Sequence, residues 1–267
     1  MKRRRTKADV IILCGGMGTR LREETEIRPK PMVEIGGKPI LWHIMKYYSH
    51  YGFNRFILAL GYKGEYIKRY FYDYGYLTSD LTIILDPKIP PRIHSLSEET
   101  HWEITCVDTG LNTLKGGRIK RLEPYIKNRH FHLTYGDGLS NVDLNKLEGF
   151  HKKHKKIGTV TAVRPPSRFG EMVIKGNLVK EFEEKPQLTT GYINGGFFVF
   201  NREFLEYLTP DENCDFEFGA LQKLSQDAEL VAYKHDGYWQ CMDTVRDAEY
   251  LNKLWRSENP PWKTWKK

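Results

Sequence analysis

Short apolar runs rich in β-branched residues alternate with amphipathic helical patterns along this chain of 267 residues. Apolar runs of this kind predict buried strands, and helices between them supply the crossovers that parallel strands need. The alternation therefore predicts an α/β fold, a mainly parallel mixed sheet flanked by helices on both faces. The predicted strands are residues 9–14, 55–60, 81–85, 104–107, 130–135, 157–163 and 193–200. The predicted helices are residues 40–51, 65–72, 143–154, 216–224 and 245–255.

Residues 168–186 interrupt this alternation. Two short strands around Lys175, Gly176 and Asn177 predict a small antiparallel β insertion. The sequence contains no internal repeat, low-complexity tract or linker. We therefore expect one domain over residues 9–267, preceded by a disordered basic tail over residues 1–8.

The formal net charge of +8 overstates how basic the chain is. Twelve basic residues lie in three short segments without acids, residues 1–7, 152–156 and 263–267. Without them the net charge is −4. Solvated tails and one basic helix face explain the excess, so we expect no nucleic-acid partner.

The four cysteines lie far apart and include no CxxC pair, which argues against a zinc site or a disulfide framework. The sequence has no apolar run of the roughly 18 to 20 residues that cross a bilayer, so we expect no membrane span. The apolar run after the basic start is also too short for a signal peptide. These features together favour a cytoplasmic protein.

A glycine-rich segment directly follows the first predicted strand. It consists of Gly15, Gly16, Met17, Gly18, Thr19 and Arg20. Such a turn at the carboxyl end of a parallel strand lets backbone N–H groups approach a phosphate. The glycines alone fit a plain tight turn equally well. Arg20 and Lys30, the latter held between two prolines, favour an anion site because both carry charges that bind phosphate oxygens.

Two acidic residues are candidate metal ligands. Asp137 lies between two glycines at the end of a predicted strand, and Asp243 lies just before the last predicted helix. Mg²⁺ commonly binds one or two carboxylates together with substrate phosphates and waters. For Asp243 a helix N-cap is an equally good interpretation.

Two further segments are weaker candidates. Glu184 and Lys185 could face an anionic substrate or form the solvated end of a strand. Asn194 and Gly195 precede another glycine within a strand of high β-propensity, where glycine often marks the close approach of a ligand or another backbone.

Taken in order, these segments resemble the sugar-phosphate nucleotidyltransferases. The motifs that carry the resemblance are residues 15–21, 28–32, 135–138, 184–186 and 194–196. Within that family, residues 30–45, 107–110, 116–118 and 239–244 are most similar to members that use CTP and glucose 1-phosphate. The resemblance covers the chain from about residue 8 to its end.

The resemblance implies a Rossmann-like nucleotidyltransferase fold and the formation of CDP-glucose and pyrophosphate with Mg²⁺ as cofactor. It implies a homo-oligomer, a hexamer in this subgroup, whose product feeds dideoxysugar synthesis for surface polysaccharide. The implied catalytic residues are Arg20, Lys30 and Asp137, with Asp137 and Asp243 as metal ligands. The implied nucleotide site is Leu13, Gly15, Gly16, Met17, Gly18, Thr19, Thr109, Arg118 and Gly136. The implied sugar-phosphate site is Glu184, Lys185, Asn194 and Gly195.

Three other functions stay open from the sequence. A relative that uses UTP or dTTP would keep the same phosphate and metal groups. A regulatory protein of this fold would bind nucleotide without turnover, which the combination of Lys30, Asp137 and Asp243 argues against. Nucleic-acid binding through the basic tails would show steeply salt-dependent affinity.

Overall fold

The computed structural model of the chain describes residues 7–95, 99, 101–165, 171–175, 178–183, 191–257 and 259–265. Its strands are β1 (Asp9–Leu13), β2 (Glu34–Ile35), β3 (Lys38–Pro39), β4 (Arg55–Leu60), β5 (Leu81–Thr82), β6 (Arg92–Ile93), β7 (Glu103–Asp108), β8 (His130–Tyr135), β9 (Gly138–Ser140), β10 (Gly158–Val163), β11 (Glu171–Lys175), β12 (Leu178–Glu183), β13 (Ile193–Asn201), β14 (Leu230–His235) and β15 (Trp239–Cys241). Its α-helices are α1 (Arg22–Thr25), α2 (Ile40–His50), α3 (Gly64–Tyr72), α4 (Tyr74–Leu77), α5 (Lys115–Arg121), α6 (Leu144–His154), α7 (Gln222–Gln226) and α8 (Val245–Arg256).

A seven-stranded mixed sheet organises the fold, in the order β14-β10-β13-β8-β1-β4-β7. Neighbouring strands are parallel except at β13, which is antiparallel to both β10 and β8. Six strands therefore end at the same edge, and β13 begins there. The predicted mainly parallel mixed sheet is confirmed, and its carboxyl edge is where α/β sheets bind ligands.

Side chains alternate between two hydrophobic cores, one on each face of the sheet. In β1, Val10 and Ile12 join the core formed with α2, α6 and α8, while Ile11 and Leu13 join the core formed with α5 and the segment after β13. Because successive side chains of a strand point to opposite faces of the sheet, both faces of β1 are buried. A strand buried on both faces reads as a continuous apolar run, which is why β1 is predictable from sequence.

The structure corrects one strand prediction and adds one strand of the main sheet that the sequence does not predict. The segment 81–85 is not a strand of the main sheet, since only β5 is extended and it pairs with β6 in a peripheral hairpin. Ile83, Ile84 and Leu85 are exposed, so their apolar character does not reflect burial. The edge strand β14 pairs parallel with β10 and is missing from the prediction. Its residues are mostly half-buried and include Lys234, so it lacks the apolar signature of a central strand.

The remaining predicted strands and helices are confirmed within a residue or two, whereas α5, β9 and β15 are not predicted from the sequence. The predicted insertion is confirmed as the antiparallel pair β11 and β12, while Gly176 and Asn177 of its turn lie outside the described residues. The predicted helix 216–224 is a π-helix over Phe216–Leu221 that continues as α7. Of the predicted basic tail, Lys7 and Ala8 are described, and Ala8 is buried in the core. No helix within the described ranges is long and apolar enough to span a membrane.

His132 is a fully buried histidine in the hydrophobic core. Its ring packs against Phe53 and Tyr48, with centroids 4.4 Å and 5.7 Å away. Neither ring nitrogen has a hydrogen-bond partner among the residues that the structure describes. Burial lowers the pKa of His132 to about 3 and the pKa of His43 to about 4. Both imidazoles are therefore neutral in the folded protein at neutral pH.

The free energy of unfolding is expected to decrease as the pH falls from 6.5 towards 4. The unfolded chain binds a proton at each of these histidines below pH 6.5, whereas the folded chain does not, so acid favours unfolding. Each group contributes up to about 1.4 kcal/mol per pH unit. Thermal unfolding of His132→Phe across this pH range should show a weaker dependence than wild type. The exposed His50→Phe serves as control, and equal pH dependence in all three proteins would contradict the prediction.

Candidate active site

A cavity of about 590 Å³ opens at the carboxyl edge of the sheet. Most of the predicted site residues line it: Leu13, Gly15, Gly16, Gly18, Thr19, Arg20, Lys30, Arg118, Gly136, Asp137, Asn194, Gly195 and Asp243. Of the other predicted residues, Met17 and Thr109 lie outside this lining. Glu184 and Lys185 lie outside the described residues. The sheet topology thus brings together groups up to 230 positions apart in the sequence.

The glycine-rich segment forms a loop between β1 and a 3₁₀ turn over Thr19–Leu21. Gly18 has a φ of +64°, and a Cβ there would lie 2.8 Å from Thr25 Cγ2 and 3.0 Å from Lys30 Cβ. A Cβ at Gly15 would overlap the guanidinium of Arg118. Glycine at both positions therefore lets the loop pack closely over its neighbours.

The loop lines the cavity at Gly15, Gly16, Gly18 and Thr19. No backbone N–H of residues 15–19 donates a hydrogen bond to another described residue. Successive N–H groups of this kind form a concave site that favours anions. The loop therefore keeps donors that a phosphate could bind, whereas in a plain turn the same N–H groups would bind water.

Lys30 lies where two acidic side chains converge. Its Nζ is 2.6 Å from Asp137 Oδ2 and 2.6 Å from Asp243 Oδ1. Burial alone would lower the pKa of Lys30, but the charge of Asp137 and the hydrogen bonds to both carboxylates outweigh it and raise the pKa. Pro29 and Pro31 hold Lys30 at the start of a 3₁₀ turn, so its ammonium is a fixed positive charge inside the cavity.

A short antiparallel pair explains how Asp137 and Asp243 meet. Strand β15 pairs with β9, with Cys241 opposite Gly138, and Met242 N donates to Asp137 O at 2.9 Å. The residue before β9 and the residues after β15 therefore lie side by side. This pairing is between short strands that the sequence pattern does not predict.

Asp243 is not the cap of the last helix. Thr244 is the N-cap of α8, and its side chain forms a reciprocal capping box with Asp247. The carboxylate of Asp243 instead contacts Lys30 and, through Oδ2, Arg20 Nη1 at 2.9 Å. Burial raises the pKa of Asp243, but Lys30 and then Arg20 lower it by more, so the pKa lies below its ordinary value. Asp243 is thus an ionised member of the site.

The two carboxylates are suited to hold a divalent cation. Their oxygens converge on one cationic atom at 2.6 Å, which shows that the pair can share a positive centre. Within the described residues there is no group of three or more His, Cys, Asp and Glu side chains that could hold a metal. A metal ion here would therefore need further oxygens, from a bound phosphate or from water, to complete its coordination, as Mg²⁺ does in phosphoryl-transfer sites.

Arg118 lines the cavity, and its side chain also forms hydrogen bonds with the backbone and side chains beneath it. Its guanidinium donates to Thr109 Oγ1 at 2.8 Å, to Gly110 O at 2.7 Å and to the carbonyls of Leu60 and Leu111. Thr109 is fully buried behind it, and the Thr109 hydroxyl donates to Leu60 O at 2.6 Å. The structure therefore places Arg118 at the cavity and Thr109 one layer below it.

Tyr135 is the centre of another part of the cavity lining. The phenol donates to Glu217 Oε1 at 2.9 Å and accepts from Asn194 Nδ2 at 3.1 Å. Burial, and then the charge of Glu217, raise the pKa of Tyr135, which keeps this donor protonated. A Cβ at Gly196 would lie 2.5 Å from Tyr135 Cδ2, so the glycine makes room for the ring. The sequence analysis did not identify Glu217, for which no local motif gives a signal.

The chain is similar to known proteins along nearly its whole length. Residues 9–251 match the nucleotidyl transferase family. The chain is 47% identical over 256 residues to glucose-1-phosphate cytidylyltransferase of Salmonella typhimurium, covering 96% of this chain and 98% of the relative. It is 44% identical over 255 residues to a probable glucose-1-phosphate cytidylyltransferase of Bacillus subtilis, covering 96% and 99%.

The fold is also similar to that of a solved structure. HddC from Yersinia pseudotuberculosis, complexed with GMP-PN, aligns with a TM-score of 0.65 at 25% identity and covers 93% of this chain and 100% of its own. Enzymes of this family generally work with a divalent metal. The match over nearly the whole chain and the site at the carboxyl edge of the sheet lead to one conclusion: the chain belongs to the nucleotidyl transferase family.

Proposed function

We propose that this chain transfers the cytidylyl group of CTP to α-D-glucose 1-phosphate, giving CDP-glucose and pyrophosphate. The main support for nucleotidyl transfer is the contact of Lys30 with both Asp137 and Asp243, beside a loop whose N–H groups have no partner in the described residues. The names of the relatives at 47% and 44% identity support the choice of CTP and glucose 1-phosphate. The product is a precursor suited to dideoxysugar synthesis for surface polysaccharide.

The reaction exchanges one phosphorus–oxygen bond for another. A phosphate oxygen of glucose 1-phosphate attacks the α-phosphorus of CTP, and the bond from that phosphorus to the oxygen bridging the β-phosphate breaks. The electron pair leaves with pyrophosphate. The nucleophile is already anionic at neutral pH, because the second pKa of a phosphomonoester is about 6. No side chain needs to remove a proton, so positioning and charge neutralisation supply the catalysis.

The phosphate side of the cavity provides both the positioning and the charge neutralisation. The N–H groups of residues 15–19 bind triphosphate oxygens, and Arg20 and Lys30 place two positive charges beside them. Asp137 and Asp243 would hold Mg²⁺, which neutralises charge on the phosphates when it is bound. Leu13, Arg118 and Gly136 form the adjoining wall for the nucleotide.

The sugar phosphate enters from the β13 side in this proposal. Asn194 and Gly195 line the cavity at the start of β13, close to Tyr135. A Cβ at Gly195 would lie 2.6 Å from Val163 Cγ1, so the backbone is closely packed there. Glu184 and Lys185 are proposed on the same side from the family motif.

Pyrophosphate release tests this function. Purified protein with glucose 1-phosphate and Mg²⁺ receives CTP, UTP, dTTP, ATP or GTP in separate reactions. We expect release with CTP, which chelation of the metal abolishes. Preference for another nucleotide would overturn the choice of base, and no release with any of the five would overturn the enzyme assignment.

We also propose that the chain acts as a cytoplasmic homo-oligomer. All four cysteines are free thiols, which suits a reducing compartment. The peripheral segment 72–85 exposes several large apolar side chains, among them Tyr72 at 87%, Leu77 at 65% and Leu85 at 98%. Apolar side chains grouped at a surface commonly mark a protein interface. A hexamer is the state that the family resemblance implies.

Replacing Leu85 with Asp is expected to weaken self-association. A carboxylate at the most exposed of these positions would have to lose its hydration in an apolar interface. Light scattering after size exclusion should show a smaller species for Leu85→Asp than for wild type. Ile27→Asp, which alters another exposed apolar residue far along the chain, should leave the mass unchanged. An unchanged mass for Leu85→Asp would place the interface elsewhere.

A further inference from the structure

Glu217 is an acidic side chain that lines the cavity beside Tyr135, and the family motifs do not include it. It lies in the π-helix Phe216–Leu221, whose first residue Phe216 is buried against Phe198 and Phe200. Anchoring of Phe216 fixes the direction of the next side chain, which lines the cavity. A π-helical turn is rare and is frequently found at functional sites.

Two donors position the carboxylate through one of its oxygens. Oε1 accepts from Tyr135 Oη at 2.9 Å and also contacts the ammonium of Lys115. Lys115 also lies 5.1 Å above the ring centroid of Tyr135. Oε2 has no hydrogen-bond partner in the described part of the chain, and the side chain is 27% exposed. An ionised carboxylate has about four acceptor positions, so Glu217 keeps free acceptor capacity beside the cavity.

Lys115 makes this acceptor compatible with anionic substrates. A lone carboxylate in a cavity that binds phosphates would repel them, whereas the ion pair of Lys115 and Glu217 is neutral overall. The paired carboxylate still accepts hydrogen bonds, and bonds to charged groups are the strong ones. In this cavity, a neutralised and oriented acceptor can recognise a hydroxyl group of a sugar ring.

We infer that Glu217 is a specificity residue that accepts a hydrogen bond from a ring hydroxyl of the bound hexose. The inference rests on the proposed function, because it takes the sugar 1-phosphate as the ligand of this wall. Both sugar rings of the reaction carry hydroxyls, the hexose and the ribose of the nucleotide. The hexose is favoured because Glu217 is joined through Tyr135 to Asn194, at the start of β13, which we propose on the sugar-phosphate side of the cavity.

Deoxy analogues test the contact directly. The ratio of kcat/KM for glucose 1-phosphate to that for its 2-, 3-, 4- or 6-deoxy analogue is measured in wild type and in Glu217→Ala. One of the four ratios should fall in Glu217→Ala by about tenfold to a hundredfold, the range for one hydrogen bond to a charged group. The other three should change little. Tyr135→Phe, which removes the donor that orients Glu217, should reduce the same ratio by less.

Two controls separate this contact from general damage. Glu212→Ala removes an equal charge from an exposed position outside the cavity and should keep all four ratios. The ratio of CTP to 2′-deoxy-CTP should be unchanged in Glu217→Ala, and its selective fall would overturn the hexose assignment. Four unchanged hexose ratios in an active Glu217→Ala would overturn the inference while leaving the proposed function intact. The proposed function is tested independently, by measuring whether wild type releases pyrophosphate from CTP and glucose 1-phosphate.

Discussion

Lys30→Met is expected to lower kcat by about 10²- to 10³-fold, the usual loss when one fixed group that stabilises transition-state charge is removed. Methionine keeps the length of the side chain but removes the charge that lies 2.6 Å from each of two carboxylates. Steady-state release of pyrophosphate gives kcat, and thermal unfolding checks the fold. The exposed Lys146→Met is the matched control. If folded Lys30→Met turned over as fast as wild type, Lys30 would have no role in catalysis.

Lys30→Arg tests whether charge alone is enough. The side chain of Lys30 is 13% exposed and its Cβ packs against the loop at Gly18. A planar guanidinium is larger than an ammonium and presents its donors in a fixed fork, so it does not fit between the same two oxygens. We expect Lys30→Arg to recover little of the lost turnover.

Asp137→Asn is expected to lower kcat by about 10³-fold, because the amide removes one of the two carboxylates that we propose as metal ligands, and a catalytic metal contributes several kcal/mol of transition-state stabilisation. Mn²⁺ binding followed by electron paramagnetic resonance, in the presence of CTP, gives a readout that is independent of turnover. Asp137→Asn and Asp243→Asn should both weaken Mn²⁺ binding. Full Mn²⁺ affinity in both variants would contradict the assignment of the metal site.

The same measurement separates the role of Lys30 from that of the carboxylates. In the free protein the Lys30 ammonium contacts both oxygens that a metal would use. Without nucleotide, Lys30→Met should therefore bind Mn²⁺ more tightly than wild type, although its turnover is lower. The aspartate variants lose both properties. Loss of Mn²⁺ binding in Lys30→Met as well would show that the lysine does not compete with the metal.

Local sequence pattern was sufficient for the core of the fold. Strand β1 is buried on both faces and the glycine-rich loop follows it directly, so both are readable within a dozen residues. The errors occur where burial is partial. The exposed run 81–85 is apolar without being buried, and β14 is an edge strand whose sequence is mixed.

The site itself depends on long-range pairing that spacing does not encode. Lys30 and Asp243 are 213 positions apart and meet because β15 pairs with β9. From the sequence alone, Asp243 could equally be a metal ligand or a helix cap. In the structure Thr244 is the cap, in a capping box with Asp247, so Asp243 is free to face the site. Glu217 had no local signal, because its position depends on the π-helix and on Tyr135 from another strand.

Phosphorus NMR of a reaction with CTP and glucose 1-phosphate tests the central claim most directly. With protein and Mg²⁺, signals of CDP-glucose and pyrophosphate should grow in equal amounts as both substrates disappear. The reaction should run backwards when CDP-glucose and pyrophosphate are supplied, because one phosphorus–oxygen bond replaces another. Cleavage of CTP without consumption of glucose 1-phosphate, or no change in either substrate, would contradict the account.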